Sequence, residues 1–61
     1  MATLLRLPDV MARTALSRSA LYALMSQGTF PKPVKIGGRI NAWPDAEIAE
    51  WIAGRIEARV A

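Results

Sequence analysis

The sequence predicts an α+β, mostly helical fold, with three helices and a small β-hairpin forming one domain over residues 1–61. Three observations predict it. Two short apolar-periodic segments flank a tight turn at Ala15-Leu16. Alternating apolar residues then flank Gly37-Gly38, a hairpin turn signal. A long apolar stripe at helical spacing closes the chain.

Each element has its own local reason. Thr3 to Arg6 is a short apolar segment that suits an edge strand. Pro8 suits the first turn of a helix, where its missing N–H costs nothing, and Asp9 complements the helix dipole there. The first helix is therefore expected over about 8–14, with Leu7, Val10 and Met11 facing inward. Ser17 is a good N-cap, because its hydroxyl can accept from the free N–H groups of the next turn. Leu21, Leu24 and Met25 recur at helical spacing, and Gly28 can adopt the left-handed conformation that ends a helix. The second helix is expected over about 17–27. Its outer face carries Ser19, Tyr22, Ala23 and Ser26, with Arg18 on the flank.

Pro31 and Pro33 force an extended segment, and Phe30 plugs the core at this corner. Val34, Ile36, Ile40 and Ala42 alternate with Lys35 and Asn41, which is strand periodicity. Pro44 is expected to start the third helix, with Asp45 and Glu47 in its first turn. Ile48, Trp51, Ile52, Ile56 and Val60 mark its apolar stripe. Two short helices joined by a tight turn suggest helix-turn-helix, and the hairpin after them makes it winged.

Composition narrows the chemistry. The 61 residues suffice for one domain with a marginal core. With no cysteine and no histidine, disulfides, the usual zinc sites, a Cys nucleophile and a His general base are excluded. No cofactor and no catalytic activity are expected. No apolar run approaches the roughly 20 residues of a membrane span, and Leu4-Leu5 is too short for a signal peptide. A cytoplasmic, soluble protein is expected.

Charge is distributed unevenly. Residues 1–43 hold Arg6, Arg13, Arg18, Lys32, Lys35 and Arg39 against Asp9 alone, a net +5. Residues 44–61 hold Arg55 and Arg59 against Asp45, Glu47, Glu50 and Glu57, a net −2. The basic part contains the second helix and the hairpin, which favours a polyanionic partner on that side. An ordinary solvated surface is the plainer alternative.

The ordered set of residues resembles the AlpA-type regulators and excisionase-like proteins of phages and prophages, akin to the MerR N-terminal domain. The matching residues begin with Leu7-Pro8-Asp9-Val10, Leu16-Ser17-Arg18-Ser19, Tyr22 and Gly28. They continue through Phe30-Pro31-Lys32-Pro33-Val34-Lys35-Ile36-Gly37 to Arg39, Trp43, Glu47-Ile48 and Trp51-Ile52. The resemblance covers about residues 5 to 57 and implies a whole protein of this length. It implies a double-stranded DNA-binding, prophage-type transcriptional regulator, or an excisionase-like factor that bends DNA for a recombinase. Integrase or recombinase and RNA polymerase are the implied protein partners. A monomer or weak homodimer is expected on other grounds: Ile52, Ile56 and Val60 could form a dimer contact if exposed, or simply pack across the first two helices. Departures fall at Ala15, where the family often has glycine, at Ala23, where many have arginine, and at Ser26-Gln27, where charge is common. The second helix is thus less basic than is usual, which shifts weight onto the wing.

The DNA-binding candidates are Arg18, Ser19, Tyr22, Ala23 and Ser26 on the second helix, and Lys32, Lys35 and Arg39 on the hairpin and its approach. Arg18 can pair bidentately with guanine or hold a phosphate. Tyr22 can donate to phosphate or lie against a thymine methyl, and Ser19 can touch base or backbone. Arg39 suits a narrow, negative minor groove. Against these stand a surface arginine, a half-buried tyrosine and a solvated hairpin whose charges discourage edge pairing.

Other motifs read as structure. Gly37-Gly38 lacks the context of a phosphate loop. Trp43 and Trp51 could stack on single strands, but their positions favour core packing. Glu47, Glu50 and Glu57 form a solvated helix face, and Thr14, Ser17 and Ser19 lack an activating base. A different class of function stays open: a small protein-interaction module acting through the apolar stripe of the third helix. Structured-RNA binding is weaker, since the aromatics are not placed for stacking.

Overall fold

The structure is a computed structural model, and it describes residues 3–59. The element order is β1 (Leu4–Leu5), α1 (Leu7–Thr14), α2 (Arg18–Ser26), β2 (Val34–Gly37), β3 (Ile40–Pro44) and α3 (Asp45–Ala58). The three strands form an antiparallel sheet in the order β1-β3-β2. This is the expected α+β, mostly helical arrangement, with the N-terminal segment paired as an edge strand. Leu4 pairs with Pro44 and Leu5 with Trp43, while Val34 pairs with Ala42 and Lys35 with Asn41. The ladder is irregular between Lys35 and Gly37, so Ile36 sits at a bulge before the turn.

Local chemistry sets the helix boundaries. The Arg6 backbone N–H donates to Asp9 Oδ2 at 3.3 Å, and Pro8 lies in the first turn of α1. The helix ends on Ala15, a left-handed residue with φ 60° whose N–H donates to the Met11 carbonyl at 2.9 Å. Ser17 caps α2 as expected, its Oγ accepting from the Ala20 N–H at 3.2 Å. Gly28, at φ 78°, carries the chain out of α2.

The core is small and shared by every layer. Leu5, Val10, Leu21, Phe30, Trp43 and Ile48 form one buried cluster, with Leu7, Met11, Leu16, Leu24, Met25, Trp51 and Ile52 packed partly against it. Phe30 is buried at the corner after α2, as its position between helix and hairpin implied.

Several expectations need correction. Pro44 does not open the third helix. It is the last residue of β3, paired with Leu4, and it occupies the extended N-cap position, so the helix begins at Asp45. Trp43 is buried, but Trp51 is only half-buried. The α3 stripe also turns outward toward its end: Ile48 is buried, Ile52 half-buried and Ile56 exposed. The core under α3 is only wide enough to cover its first turns. Val60 lies outside the described residues.

The hairpin does not bury its alternating apolar residues either. Val34, Ile36 and Ile40 are exposed, as is Leu4, while Ala42 is buried. Leu5 and Trp43 are cross-strand partners and both enter the core cluster. Side chains alternate faces along a strand, so Leu4, Val34 and Ile40 lie on the sheet's other face. Ala42, paired with Val34 on that same face, is buried in the central strand, so the exposure falls on the residues around it.

Candidate nucleic-acid interface

The exposed face of α2 follows from its core face. Leu21 is fully buried, and Leu24 and Met25 are half-buried. At about 100° per residue, Ser19, Tyr22, Ala23 and Ser26 fall on the opposite side, with Arg18 on its flank. All five are exposed, so this helix face is open to solvent. Tyr22 is 46% exposed, which places its ring on the surface rather than in a half-buried pocket. Ser17 fixes where the helix starts, so Arg18 and Ser19 occupy its first turn. The Ser19 hydroxyl lies 3.4 Å from Ser17 Oγ, a long contact that leaves it available to another partner.

The hairpin supplies the remaining candidates. Lys32 stands exposed between Pro31 and Pro33, which hold its backbone extended. Lys35 is exposed on β2 opposite Asn41. Arg39 is exposed directly after Gly38, whose φ of 49° makes the turn. Among the described residues the sole ion pair joins Arg13 to Asp45. Arg18, Lys32, Lys35 and Arg39 thus have no ion-pair partner among those residues.

Two indole groups fix the chain between helix and hairpin. Trp51 Nε1 donates to the Thr29 carbonyl at 2.8 Å, and Trp43 Nε1 donates to the Pro31 carbonyl at 2.9 Å. Phe30, between those two carbonyls, packs its ring edgewise on Trp51 with centroids 4.8 Å apart. The segment that leaves α2 and enters β2 is thus held on both sides of its buried anchor. This positions the hairpin relative to α2. The two tryptophans are structural, as expected, and their hydrogen-bonding role was not visible in the sequence. Asn41 has a buried side-chain oxygen without a protein partner, one residue from Ala42 in the central strand.

The structure holds all eight candidates on the surface, and among the described residues none of their charged side chains has an ion-pair partner. No cluster of side chains suited to a metal occurs among the described residues, and no helix is long and apolar enough to cross a membrane.

Residues 3–56 match the family described as Prophage CP4-57 regulatory protein (AlpA). The chain belongs to the AlpA family. Relatives within reach of this family include a phage P4 protein, ORF88, 47% identical over 55 residues. That match covers 90% of this chain and 62% of the phage protein, so the chain spans about three-fifths of that relative's length. A second relative is the DNA-binding transcriptional activator AlpA of Escherichia coli (strain K12), 34% identical over 58 residues. There the match covers 85% of this chain and 83% of the relative. The AlpA family is described by regulation rather than by catalysis.

One further group of residues comes together in the structure. Arg55, on the last turn of α3, and Arg59, the extended residue that follows the helix, border a groove that also reaches Arg13. Their i, i+4 spacing beside Ile52 and Ile56 was the available signal.

Proposed function

We propose that this AlpA-family protein binds double-stranded DNA sequence-specifically and regulates transcription. In this reading α2 enters the major groove and the hairpin lies over the adjacent backbone or minor groove. One observation carries the proposal: an unobstructed face of α2, led by Arg18, beside a hairpin that bears Lys32, Lys35 and Arg39 with no ion-pair partners among the described residues. The E. coli relative's description as a DNA-binding transcriptional activator supports the same reading.

The roles divide by position. Arg18, Ser19 and Tyr22 sit toward the N-terminal half of α2, where helix-turn-helix proteins touch base edges. Ala23 and Ser26 are small, so they let the helix approach the groove floor. Lys32, Lys35 and Arg39 hold phosphates or the minor groove and supply affinity more than sequence preference. The protein would act in the bacterial cytoplasm, where such DNA is found, and its regulatory output would pass through RNA polymerase.

A salt titration tests the electrostatic basis. If about four cations meet phosphates, log K falls against log salt with a slope of roughly −4. A slope near zero removes that basis.

A further inference from the structure

The described surface contains an open groove of about 400 Å³ where the end of α1, the back of α2 and the last turns of α3 meet. Its apolar wall includes Leu16, Leu24 and Ile56, with Trp51 alongside. Its charged rim includes Arg55 and Arg59. We propose that this groove is a docking site for an acidic, amphipathic segment of a partner protein.

Charge complementarity selects that occupant. Every charged residue lining the groove is an arginine, and no carboxylate lines it. The third of them, Arg13, is already paired with Asp45, so among the described residues Arg55 and Arg59 carry the groove's unpaired charge. The Arg55 guanidinium lies 5.7 Å from the centroid of the Trp51 ring, which holds a cation beside an apolar wall. A segment with leucine or phenylalanine anchors at helical spacing and flanking aspartate or glutamate satisfies both features. Nucleic acid satisfies only the charge, and Ile56, 52% exposed, would gain nothing from it. A second copy of this chain is a poorer match: of the α3 carboxylates, Asp45 is paired with Arg13, and Glu47 and Glu50 lie together beside Pro31 and Trp51 rather than flanking Ile56.

The groove faces away from the proposed DNA surface. Leu24 lies roughly opposite the centre of the Arg18–Ser26 outer face on the helical wheel. Both surfaces can therefore be occupied together, which lets a DNA-bound regulator hold a second protein. The inference does not rest on the DNA reading, because the groove's chemistry is independent of α2's outer face.

The test uses the full chain and a fluorescein-labelled 16-residue helical peptide with Leu and Phe anchors at i, i+3 and i+7, Glu or Asp flanking them and Ala or Gln elsewhere (about three Debye lengths long at physiological salt). Controls are the same peptide with lysine replacing each acid and one with its anchors replaced by serine. Anisotropy is measured without DNA and again with a saturating duplex. The acidic peptide is expected to bind, both controls to lose at least tenfold, and the R55Q/R59Q variant to lose at least tenfold. Both arginines are exposed, so that variant should fold, which circular dichroism checks; Ile56→Ser is the second variant, acting on the apolar wall. DNA affinity of R55Q/R59Q should stay within threefold of wild type.

Three results overturn the proposal. The acidic peptide fails to bind, or binds R55Q/R59Q as well as wild type. R55Q/R59Q loses DNA as strongly as it loses peptide, which assigns the rim to nucleic acid. Sedimentation shows a dimer that Ile56→Ser dissolves, which assigns the groove to a second copy. Failure of DNA binding with peptide binding intact would sink the DNA reading alone.

Discussion

Ala15→Gly is expected to stabilise the protein, against the usual direction for a glycine substitution. Ala15 closes α1 with φ 60° and ψ 23°, in the left-handed region. An L-residue with a Cβ pays about 1–2 kcal/mol for that conformation, and glycine does not. Glycine also loosens the unfolded chain, which costs about 0.4–1 kcal/mol. Nothing else changes: Ala15 is exposed, and its N–H keeps the 2.9 Å bond to the Met11 carbonyl. The net gain is about 0.5–1 kcal/mol. For a domain of this size that raises Tm by roughly 2–8 °C. Thermal and urea unfolding followed by circular dichroism measure it, with the denaturant slope expected to stay constant. Ala15→Val should destabilise in the same assay, because a β-branched residue fits φ 60° worse. Destabilisation by Ala15→Gly of half a kcal/mol or more would refute the reasoning, since the turn would then not be held in the left-handed region.

Other outcomes follow from the same contacts. Ser17→Ala should cost about 1 kcal/mol, because it removes the acceptor for the Ala20 N–H, and a comparable unfolding measurement checks it. Trp43→Ala should cost about 3–5 kcal/mol and abolish folding in so small a core, whereas Trp51→Ala should cost clearly less because that side chain is half-exposed. Equal losses in circular dichroism would contradict the assigned burial. Arg13→Ala should change stability by less than about 1 kcal/mol, since the pair with Asp45 is solvent-exposed on both sides.

Much of the fold was legible because local chemistry marks it. Pro8, Ser17 and Gly28 each act within a few residues, and each sits where its backbone preference places it. The hairpin turn falls one residue later than Gly37-Gly38 implied: Gly37 ends β2 paired with Ile40, and Gly38, at φ 49°, makes the turn with Arg39. Ala15 shows the limit. Its left-handed conformation is imposed by the junction of two helices, and alanine carries no signal for it. Pro44 has the dihedral preference of a helix start, but pairing with Leu4 keeps it in the sheet. That pairing spans 40 positions and has no local signature.

Burial was less legible than periodicity. Val34, Ile36 and Ile40 alternate as a half-buried hairpin should, yet they are exposed. Among the described residues β2 contributes nothing to the buried core, so apolar alternation does not translate into coverage in so small a domain. Ile56 continues the α3 stripe for the same reason beyond the reach of the core. The outer face of α2 was read correctly as exposed, because it is the complement of Leu21, Leu24 and Met25 on one helix. The groove at the end of α3 was not read, because its residues come from three elements.

The central claim is that α2 reads sequence and the hairpin grips. Affinities of wild type, Arg18→Ala and Arg39→Ala for a footprinted duplex and for a scrambled one, at several salt concentrations, test it most directly. The account predicts that Arg18→Ala loses about 1–3 kcal/mol on the specific duplex and little on the scrambled one. Arg39→Ala should weaken both duplexes about equally and reduce the salt slope by about one. Sequence preference lost with Arg39 and kept without Arg18 would make the hairpin the reader and contradict the account.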